Sequence, residues 1–311
     1  MKDSGKNSGK KTILFGPSGF LGPVILEMYP DIISVGRTPP PNYIKNKHIH
    51  IDDIGDLSDL DNLDIEKVIF MIGNSNHHEI NTKCMMGFEY NVIPIKKALH
   101  YFQKRNLKKF IAFTTILLYD VNKSKLPVSE DQPINPYIHD YAFSKYVAEE
   151  ITKLYKKVPV INIRLSNIYG PTKFIRPDLV PTLIQKALSP KEPTVWSTKP
   201  IRDFIYVKDA ARAIIALLDT DYIGTINLGS GQMRSVGDIV SIIEKISGKK
   251  VKVLDIPVTG PMKFVYDISL VKKLTGWKPE YTLEQGLEET YDIMKTYANE
   301  CKWWEKQEFK W

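Results

Sequence analysis

Short apolar runs alternate with amphipathic stretches along the first half of the chain. The runs TILFG, DIISVG, KVIFMIG, KKFIAFTT and VPVINIRLSN are typical of buried strands. The stretch NVIPIKKALHYFQKRN and the residues from Asp140 onward predict helices. Because strands that alternate with helices at this spacing form parallel sheets covered on both faces, we predict an α/β fold. Ligands of such sheets bind beyond the carboxyl ends of the strands.

The pattern changes after NIYGP. Residues 171–203 are rich in proline, and the sequence then predicts a helix in FIYVKDAARAIIALL, a strand in TINLGSG and a helix in SVGDIVSIIEKISG. We expect a flexible basic arm over residues 1–11, a first domain over 12–170, and a smaller region over 171–311 that is interwoven with the first domain. For the aromatic end WWEKQEFKW we expect packing against this domain or against another subunit.

Composition narrows the classes of partner. The formal net charge of +7 suits an anionic partner, but no RNA-binding motif with interleaved aromatic residues is present, which leaves a phosphorylated small molecule. The two cysteines, Cys84 and Cys301, form neither a disulfide framework nor a metal-binding pattern, and they suit a reducing cytoplasm. The amino terminus lacks the apolar segment of a signal peptide, and no apolar run is long enough to span a membrane. We therefore expect a cytoplasmic protein without a nucleic-acid or membrane partner.

The stretch GPSGFLG follows the first predicted strand and precedes an apolar helix. Gly16, Gly19 and Gly22 would let the backbone turn sharply, approach a pyrophosphate closely and pack the helix near the strand. A purely structural turn is the alternative, but the position at the first strand-to-helix connection favours dinucleotide binding. The predicted cofactor-binding residues of this turn are Gly16, Ser18, Gly19, Phe20, Leu21 and Gly22.

The end of the second predicted strand bears on the choice of cofactor. An acidic residue there would bind the ribose hydroxyls of NAD, whereas an arginine can neutralise the 2′-phosphate of NADP. Gly36 and Arg37 occupy the place in this chain. We therefore expect NADP(H), with NAD(H) possible if Arg37 is only a solvated loop residue.

Tyr141 and Lys145 lie four residues apart in DYAFSK, and so on one face of the predicted helix. In a chain with 16 tyrosines and 43 lysines and arginines, such a pair also arises by chance. The spacing alone therefore does not assign a catalytic site.

Seven motifs in order strengthen that assignment: GPSGFLG, FTTILLY, DYAFSK, RLSNIYGP, RDFIYVKDAARAI, NLGSG and LTGWKPEYTLEQGLEET. With them the chain resembles the extended short-chain dehydrogenase/reductases, specifically the NAD-dependent epimerase/dehydratase family that acts on nucleotide sugars. The resemblance implies a Rossmann-type doubly wound sheet with a smaller carboxyl-terminal substrate-binding domain and a cleft between them. It also implies that Thr115, Tyr141 and Lys145 are the catalytic residues. The ordinary pKa of a tyrosine hydroxyl is about 10. A lysine ammonium beside it would lower this pKa and so favour the phenolate.

The same matching places further residues. It implies cofactor contacts for Asp53, Ile54, Met71, Ile72 and Gly73, with the first two at the adenine. It implies substrate contacts, besides those of Thr115 and Tyr141, for Asn74, Asn167, Arg202 and Lys263. Arg202 and Lys263 would bind the substrate diphosphate, although lysine lacks the bidentate fork of arginine.

Departures from the family pattern narrow the reaction. Dehydratases of the family place an Asp-Glu pair where this chain has Ile116 and Leu117, and the fucose synthases place a cysteine at the second position, so neither activity is expected. The stretch that contains His77, His78 and Glu79 is unusually polar. Because no third ligand follows at suitable spacing, we expect this stretch to line a cleft or the surface rather than to bind metal.

These observations favour an NADPH-dependent reductase of a nucleotide-linked 4-keto sugar, with Tyr141 as proton donor. The alternative is a nucleotide-sugar 4-epimerase that uses tightly bound NAD and the same residues. A cofactor-sensing protein without catalysis, or an enzyme with a non-sugar carbonyl substrate, is less favoured. The family resemblance also suggests a homodimer through the helices near residues 91–104 and 141–157, although core packing would explain their apolar faces equally well.

Overall fold

The computed structural model describes residues 9–83, 85–176, 178–258 and 260–306. Residues 1–8 of the predicted arm, Cys84 and residues 307–311 of the aromatic end lie outside this range. The strands are β1 Lys11–Phe15, β2 Ile33–Gly36, β3 His48–His50, β4 Ile65–Phe70, β5 Lys109–Thr115, β6 Val160–Leu165, β7 Asn167–Tyr169, β8 Thr194–Val195, β9 Ile201–Arg202, β10 Phe204–Tyr206, β11 Gly224–Leu228, β12 Arg234–Ser235 and β13 Lys252–Val253. The helices are α1 Gly22–Met28, α2 His77–Thr82, α3 Ile93–Phe102, α4 Asp140–Thr152, α5 Leu179–Ala187, α6 Val207–Leu217, α7 Val236–Ser247, α8 Ser269–Thr275 and α9 Leu283–Cys301.

Seven strands form one sheet in the order β11-β6-β5-β4-β1-β2-β3. The pairs from β3 to β5 along this order are parallel. The strand order reverses between β1 and β4, and this switch point is where doubly wound sheets bind their ligands. The sheet confirms the predicted Rossmann-type α/β fold.

Apolar residues on both faces of the central strands bury the sheet. Ile13, Leu14 and Phe15 of β1 are inaccessible to solvent, as expected for a parallel strand covered by helices on both sides. The ring of Phe15 packs edge-on against Phe102 of α3, with ring centroids 6.1 Å apart. These contacts fix the carboxyl end of β1, from which the glycine turn continues.

Two compact units divide the chain. Unit 1 comprises residues 1–118, 136–163 and 214–226, and unit 2 comprises residues 119–135, 164–213 and 227–311. Unit 1 holds β1 to β5 of the sheet together with α1 to α4. The expected boundary between a cofactor domain and a substrate-binding region at residue 170 stays a prediction.

Some predicted elements differ from those observed. Residues 204–206, which we predicted as the start of a helix, form β10 and pair in parallel with β7, because the apolar FIY run is buried on a neighbouring strand. The proline-rich stretch contains α5, whose Pro181 lies in the first turn, where its missing N–H is tolerated.

The carboxyl-terminal helices belong to unit 2. A capping box of Thr282 and Gln285 begins α9, and the side chain of each residue bonds the backbone N–H of the other. Trp303, the first aromatic residue of the terminal stretch, is fully buried and donates its indole N–H to the Lys173 carbonyl at 2.9 Å. Among the described helices, none is long and apolar enough to cross a bilayer.

Candidate active site

The glycine turn links β1 to α1 at the switch point of the sheet. Gly16 adopts a φ of +84°, and its N–H donates to the Val35 carbonyl of β2 at 3.3 Å. A Cβ on Gly22 would lie 2.7 Å from the Gly16 carbonyl oxygen, so a side chain there would displace the turn. At its glycine positions the turn presents backbone alone, which allows close approach of a pyrophosphate.

The other residues predicted to bind cofactor lie around this end of the sheet. Met71 follows β4 and donates its N–H to the Phe15 carbonyl at 3.1 Å, and Ile72 is half-buried beside it. Asp53 is exposed after β3, where the Gly55 N–H and the Lys97 ammonium hold its pKa below the ordinary value. Arg37 is exposed after β2, and no ion pair is present for it among the described residues.

Thr115 is the last residue of β5 and is buried. Its hydroxyl oxygen accepts the Leu117 N–H at 3.2 Å, within the single 3-10 turn of Ile116–Leu118. This bond leaves the hydroxyl hydrogen available to donate elsewhere. The local turn therefore orients Thr115 at the carboxyl end of its strand.

Two side chains fix the start of α4, which carries Tyr141 and Lys145. His139 is the N-cap, and its Nδ1 accepts the Ala142 N–H at 3.0 Å. Asn81 of α2 accepts the N–H of Tyr141 itself at 3.0 Å. Unpaired amides at a helix start are thereby satisfied from two directions, which holds the backbone of Tyr141 in place.

Imidazole rings flank the Tyr141 ring. The centroids of His77 and His139 lie 6.3 and 6.2 Å from that of Tyr141. Burial lowers the pKa of His139, and the charge of His77 lowers it further. The polar stretch at His77 therefore forms one side of the surroundings of Tyr141, and the exposed His78 is next to it on α2.

No metal site is apparent there. Glu79 accepts from the Lys83 ammonium at 2.6 Å as an ordinary pair on α2. Across the described part of the chain, no group of three His, Cys, Asp or Glu side chains is placed to hold a metal ion.

Lys145 is buried one turn after Tyr141. Within the described part of the chain its ammonium makes one long hydrogen bond, 3.4 Å to the Phe113 carbonyl of β5. Burial lowers its pKa from 10.5 to about 8. A buried ammonium with so weak a partner is costly, and it would bind the hydroxyls of a ribose well. This is the observation in unit 1 that best fits a nicotinamide nucleotide.

Gly73 lies beside this ammonium. A Cβ on Gly73 would come within 3.3 Å of the Lys145 Nζ and within 2.9 Å of the Asn91 side-chain oxygen. The Asn91 oxygen accepts the Asn74 N–H at 2.8 Å, and its amide donates to the Ser144 hydroxyl at 3.1 Å. Gly73 and Asn74 are therefore held close to α4 by a residue that the sequence analysis did not select.

Four residues that were not selected from the sequence support the surroundings of Tyr141 and Lys145. Asn81 and His139 accept backbone N–H groups at the start of α4, and Asn91 and Ser144 link Asn74 to this helix. Ser144 donates its hydroxyl hydrogen to the Tyr141 carbonyl at 2.8 Å, which completes the link from Asn91 to the helix. Its place in DYAFSK, three residues after the tyrosine, was an available signal. His139 directly precedes DYAFSK and was also within reach of the sequence, whereas Asn81 and Asn91 contact Tyr141 and Ser144 from 60 and 53 residues away.

Asn167 and Arg202, predicted to bind substrate, belong to unit 2. The Asn167 side chain donates to the Asp203 carbonyl at 3.0 Å, which fixes it at the β7–β10 pair. Arg202 on β9 is half-buried, and this burial lowers its pKa. Lys263 is exposed and lies opposite Ile201 across a single parallel bridge.

Comparisons with known proteins identify the family of this chain. The model of the NAD dependent epimerase/dehydratase family matches residues 13–229. The chain belongs to this enzyme family, and the resemblance inferred from its motifs is confirmed.

Individual relatives lie within the same family. A protein of Methanocaldococcus jannaschii, named as a candidate UDP-glucose 4-epimerase, is 30% identical over 91% of this chain and 98% of its own. The solved UDP-glucuronic acid 4-epimerase of Bacillus cereus, a tyrosine-to-phenylalanine variant in complex with UDP-4-deoxy-4-fluoro-glucuronic acid and NAD, is 26% identical with a TM-score of 0.80, covering 92% of this chain and 99% of its own. The UDP-glucose 4-epimerase of Thermotoga maritima, solved with UDP-glucose, is 21% identical with a TM-score of 0.83, covering 93% of this chain and 99% of its own. At this identity the similarity supports the fold alone.

Proposed function

We propose that this protein interconverts UDP-linked sugars that are epimeric at C4, with NAD as its cofactor. The observation that carries the proposal is the buried Lys145 ammonium, weakly bonded and one helical turn from Tyr141. The relatives add support, because proteins similar to this chain are named as 4-epimerases. The epimerase alternative therefore replaces the NADPH-dependent reductase as the leading function.

Tyr141 is the proposed acid and base at the sugar O4. A tyrosine with an ordinary pKa near 10 is a poor base at neutral pH, and a nearby positive charge makes it a better one. Lys145, with a pKa of about 8, carries this charge at pH 7. Thr115 would donate its hydroxyl hydrogen to the same sugar oxygen and hold it in line with Tyr141.

The glycine turn and Lys145 would hold the cofactor. These residues fit a bound NAD, since Gly16 and Gly22 place no side chain at the turn and the hydrogen bond of Lys145 to the Phe113 carbonyl is long. When bound, NAD would accept a hydride from C4 of the sugar and return it to the same carbon. Gly73 leaves room beside Lys145 where a larger residue would not.

The choice between NAD and NADP depends on Arg37. Solved relatives at 25% identity or more have NAD bound, which favours NAD here. The exposed Arg37 favours the second candidate, the NADPH-dependent reductase, because its guanidinium is available for a 2′-phosphate. The expected result is tighter binding of NAD than of NADP, with little change in NAD affinity in Arg37→Ala.

Cofactor consumption separates the two functions. Purified protein is incubated with UDP-glucose, UDP-glucuronic acid or UDP-N-acetylglucosamine and a substoichiometric amount of NAD, and the sugars are followed by NMR. An epimerase converts more substrate than there is cofactor and consumes no NADPH. Oxidation of one NADPH per molecule of a UDP-4-keto sugar, with no epimer formed from any of the three sugars, would support the reductase instead.

A further inference from the structure

His77 contacts the ring of Tyr141. It begins α2, and its imidazole centroid lies 6.3 Å from the centroid of the Tyr141 ring, with the two planes tilted by 54°. The side chain is exposed, and in the described part of the chain no hydrogen bond or ion pair engages its imidazole. Both ring nitrogens are therefore available to a bound molecule. The acid and base chemistry proposed for Tyr141 makes no use of them.

The fold fixes the position of His77. Asn76 caps α2 and accepts the Glu79 N–H at 3.1 Å. Asn81, four residues after His77 and on the same face of the helix, accepts the Tyr141 N–H at 3.0 Å. One face of α2 thus contacts both the ring and the backbone of Tyr141.

His139, the other imidazole beside Tyr141, is committed to the helix. Its Nδ1 accepts the Ala142 N–H at 3.0 Å, so the neutral ring carries its proton on Nε2. Burial lowers the pKa of His139, and the charge of His77 lowers it further, whereas Asp140 raises it. The two imidazoles thus share one region, and His77 is the one with both nitrogens available.

The charges around this site favour an anionic ligand. Glu79 of α2 already accepts from the Lys83 ammonium at 2.6 Å. Asp140 is exposed, and solvent screens its charge. The ammonium of Lys145 is buried one turn after Tyr141, with a 3.4 Å hydrogen bond to a backbone carbonyl. An anionic group beside Tyr141 would therefore meet imidazole donors and a buried positive charge.

A sugar bound for reaction at C4 places its neighbouring groups beside Tyr141. When O4 lies at the Tyr141 hydroxyl, the groups on C3 and C5 flank it, and C6 is bonded to C5. An imidazole N–H can donate to a hydroxyl or to a carboxylate, and hydrogen bonds to an ionised acceptor are about twice as strong. A sugar that carries a carboxylate at C6 therefore gains the most from His77.

We propose that His77 is a specificity-determining residue that binds a C6 carboxylate, and that the enzyme prefers a UDP-linked hexuronic acid to the corresponding neutral hexose. The inference rests on the proposed function, since it names the class of sugar at the same site. It gives a role to the unusually polar stretch around His77, for which the sequence predicts only a place in a cleft or on the surface.

Calorimetric titration with UDP-glucuronic acid, UDP-glucose and UDP tests the proposal, because the two sugars differ only at C6. The titrations use NAD-bound Tyr141→Phe protein, which keeps the ring that His77 contacts and slows conversion of the sugar. With His77 intact, UDP-glucuronic acid should bind at least about 10-fold more tightly than UDP-glucose. His77→Ala should remove this preference, and His77→Gln should keep part of it through its amide N–H.

His78→Ala is the matched control. His78 is also an exposed histidine of α2, but adjacent residues of a helix do not share a face. The preference for UDP-glucuronic acid should be the same with and without His78. An equal loss of preference in His77→Ala and His78→Ala would attribute the effect to the general charge of this surface and would overturn the inference.

Three further results would overturn it: equal affinity for the two sugars with His77 intact, an undiminished preference in His77→Ala, or an equal loss of affinity for UDP, which would indicate a disturbed fold. Any of these, in a protein that epimerises UDP-sugars, leaves the proposed function intact. Conversely, a preference that depends on His77 in a protein that converts no UDP-sugar would support the carboxylate site and contradict the epimerase.

Discussion

Replacement of Lys145 by methionine should stabilise the protein while abolishing its activity. The ammonium of Lys145 is buried, and its hydrogen bond to the Phe113 carbonyl is 3.4 Å long. Burial lowers its pKa from 10.5 to about 8. At about 1.36 kcal/mol per pKa unit, the charged lysine costs the folded state about 3 kcal/mol at pH 7. Methionine has a similar length and no charge to desolvate, so the variant avoids this cost.

The stability advantage of Lys145→Met should depend on pH. Since the folded pKa of Lys145 is below the unfolded value, the cost is fully present below about pH 8 and disappears as the pH rises toward 10.5. The advantage of Lys145→Met should therefore be several degrees in melting temperature at pH 7 and should shrink steadily above pH 8.

Thermal unfolding of the cofactor-free protein, measured at intervals from pH 7 to 10, provides the assay. Lys153→Met is the matched control, because Lys153 is the C-cap residue of the same helix but is exposed and paired with Glu150 at 2.6 Å. Its melting temperature should change little at any pH. A Lys145→Met variant that melts at or below the wild-type temperature at pH 7, or an advantage that does not depend on pH, would refute the reasoning.

Three further predictions concern the backbone around the site. Asn81→Ala should lower the turnover number about 10-fold without weakening NAD binding. Asn81→Asp should keep most of the wild-type turnover, because a carboxylate can also accept the Tyr141 N–H. Equal losses of turnover in both variants would exclude the capping role. His139→Asn should keep the cap of α4. Because burial lowers the pKa of His139 below 6.5, the wild type should lose more stability than the variant as the pH falls below that value in thermal unfolding, and parallel curves would contradict this. Gly22→Ala should weaken NAD binding at least 10-fold in a calorimetric titration, since its Cβ would lie 2.7 Å from the Gly16 carbonyl oxygen; unchanged affinity would show that the turn can shift at little cost.

The sheet could be predicted from the sequence because its signals are local. Each central strand is a short run of apolar residues, and the turn at Gly16 requires glycine for reasons visible within seven residues. Where two elements followed one another without a break, the prediction failed. FIYVKDAARAIIALL predicts one helix by its apolar content, but the structure divides it into β10 and α6.

The proposed catalytic residues were selected from motifs, whereas most of the residues that hold them could not be selected in this way. Tyr141 and Lys145 are close in sequence, but Asn81 contacts the Tyr141 amide from 60 residues away. Only the folded chain brings these groups together.

The conversion of UDP-sugars by the wild type and by Tyr141→Phe tests the central claim most directly. In NMR spectra of UDP-glucose, UDP-glucuronic acid or UDP-N-acetylglucosamine with catalytic NAD, the wild type should produce the C4 epimer of at least one sugar. Tyr141→Phe should slow this conversion by about 10²–10⁴-fold, the range expected for loss of a general acid and base, while its affinity for UDP stays the same. Epimer formation at the wild-type rate by Tyr141→Phe, or no epimer from any of the three sugars with the wild type, would contradict the account.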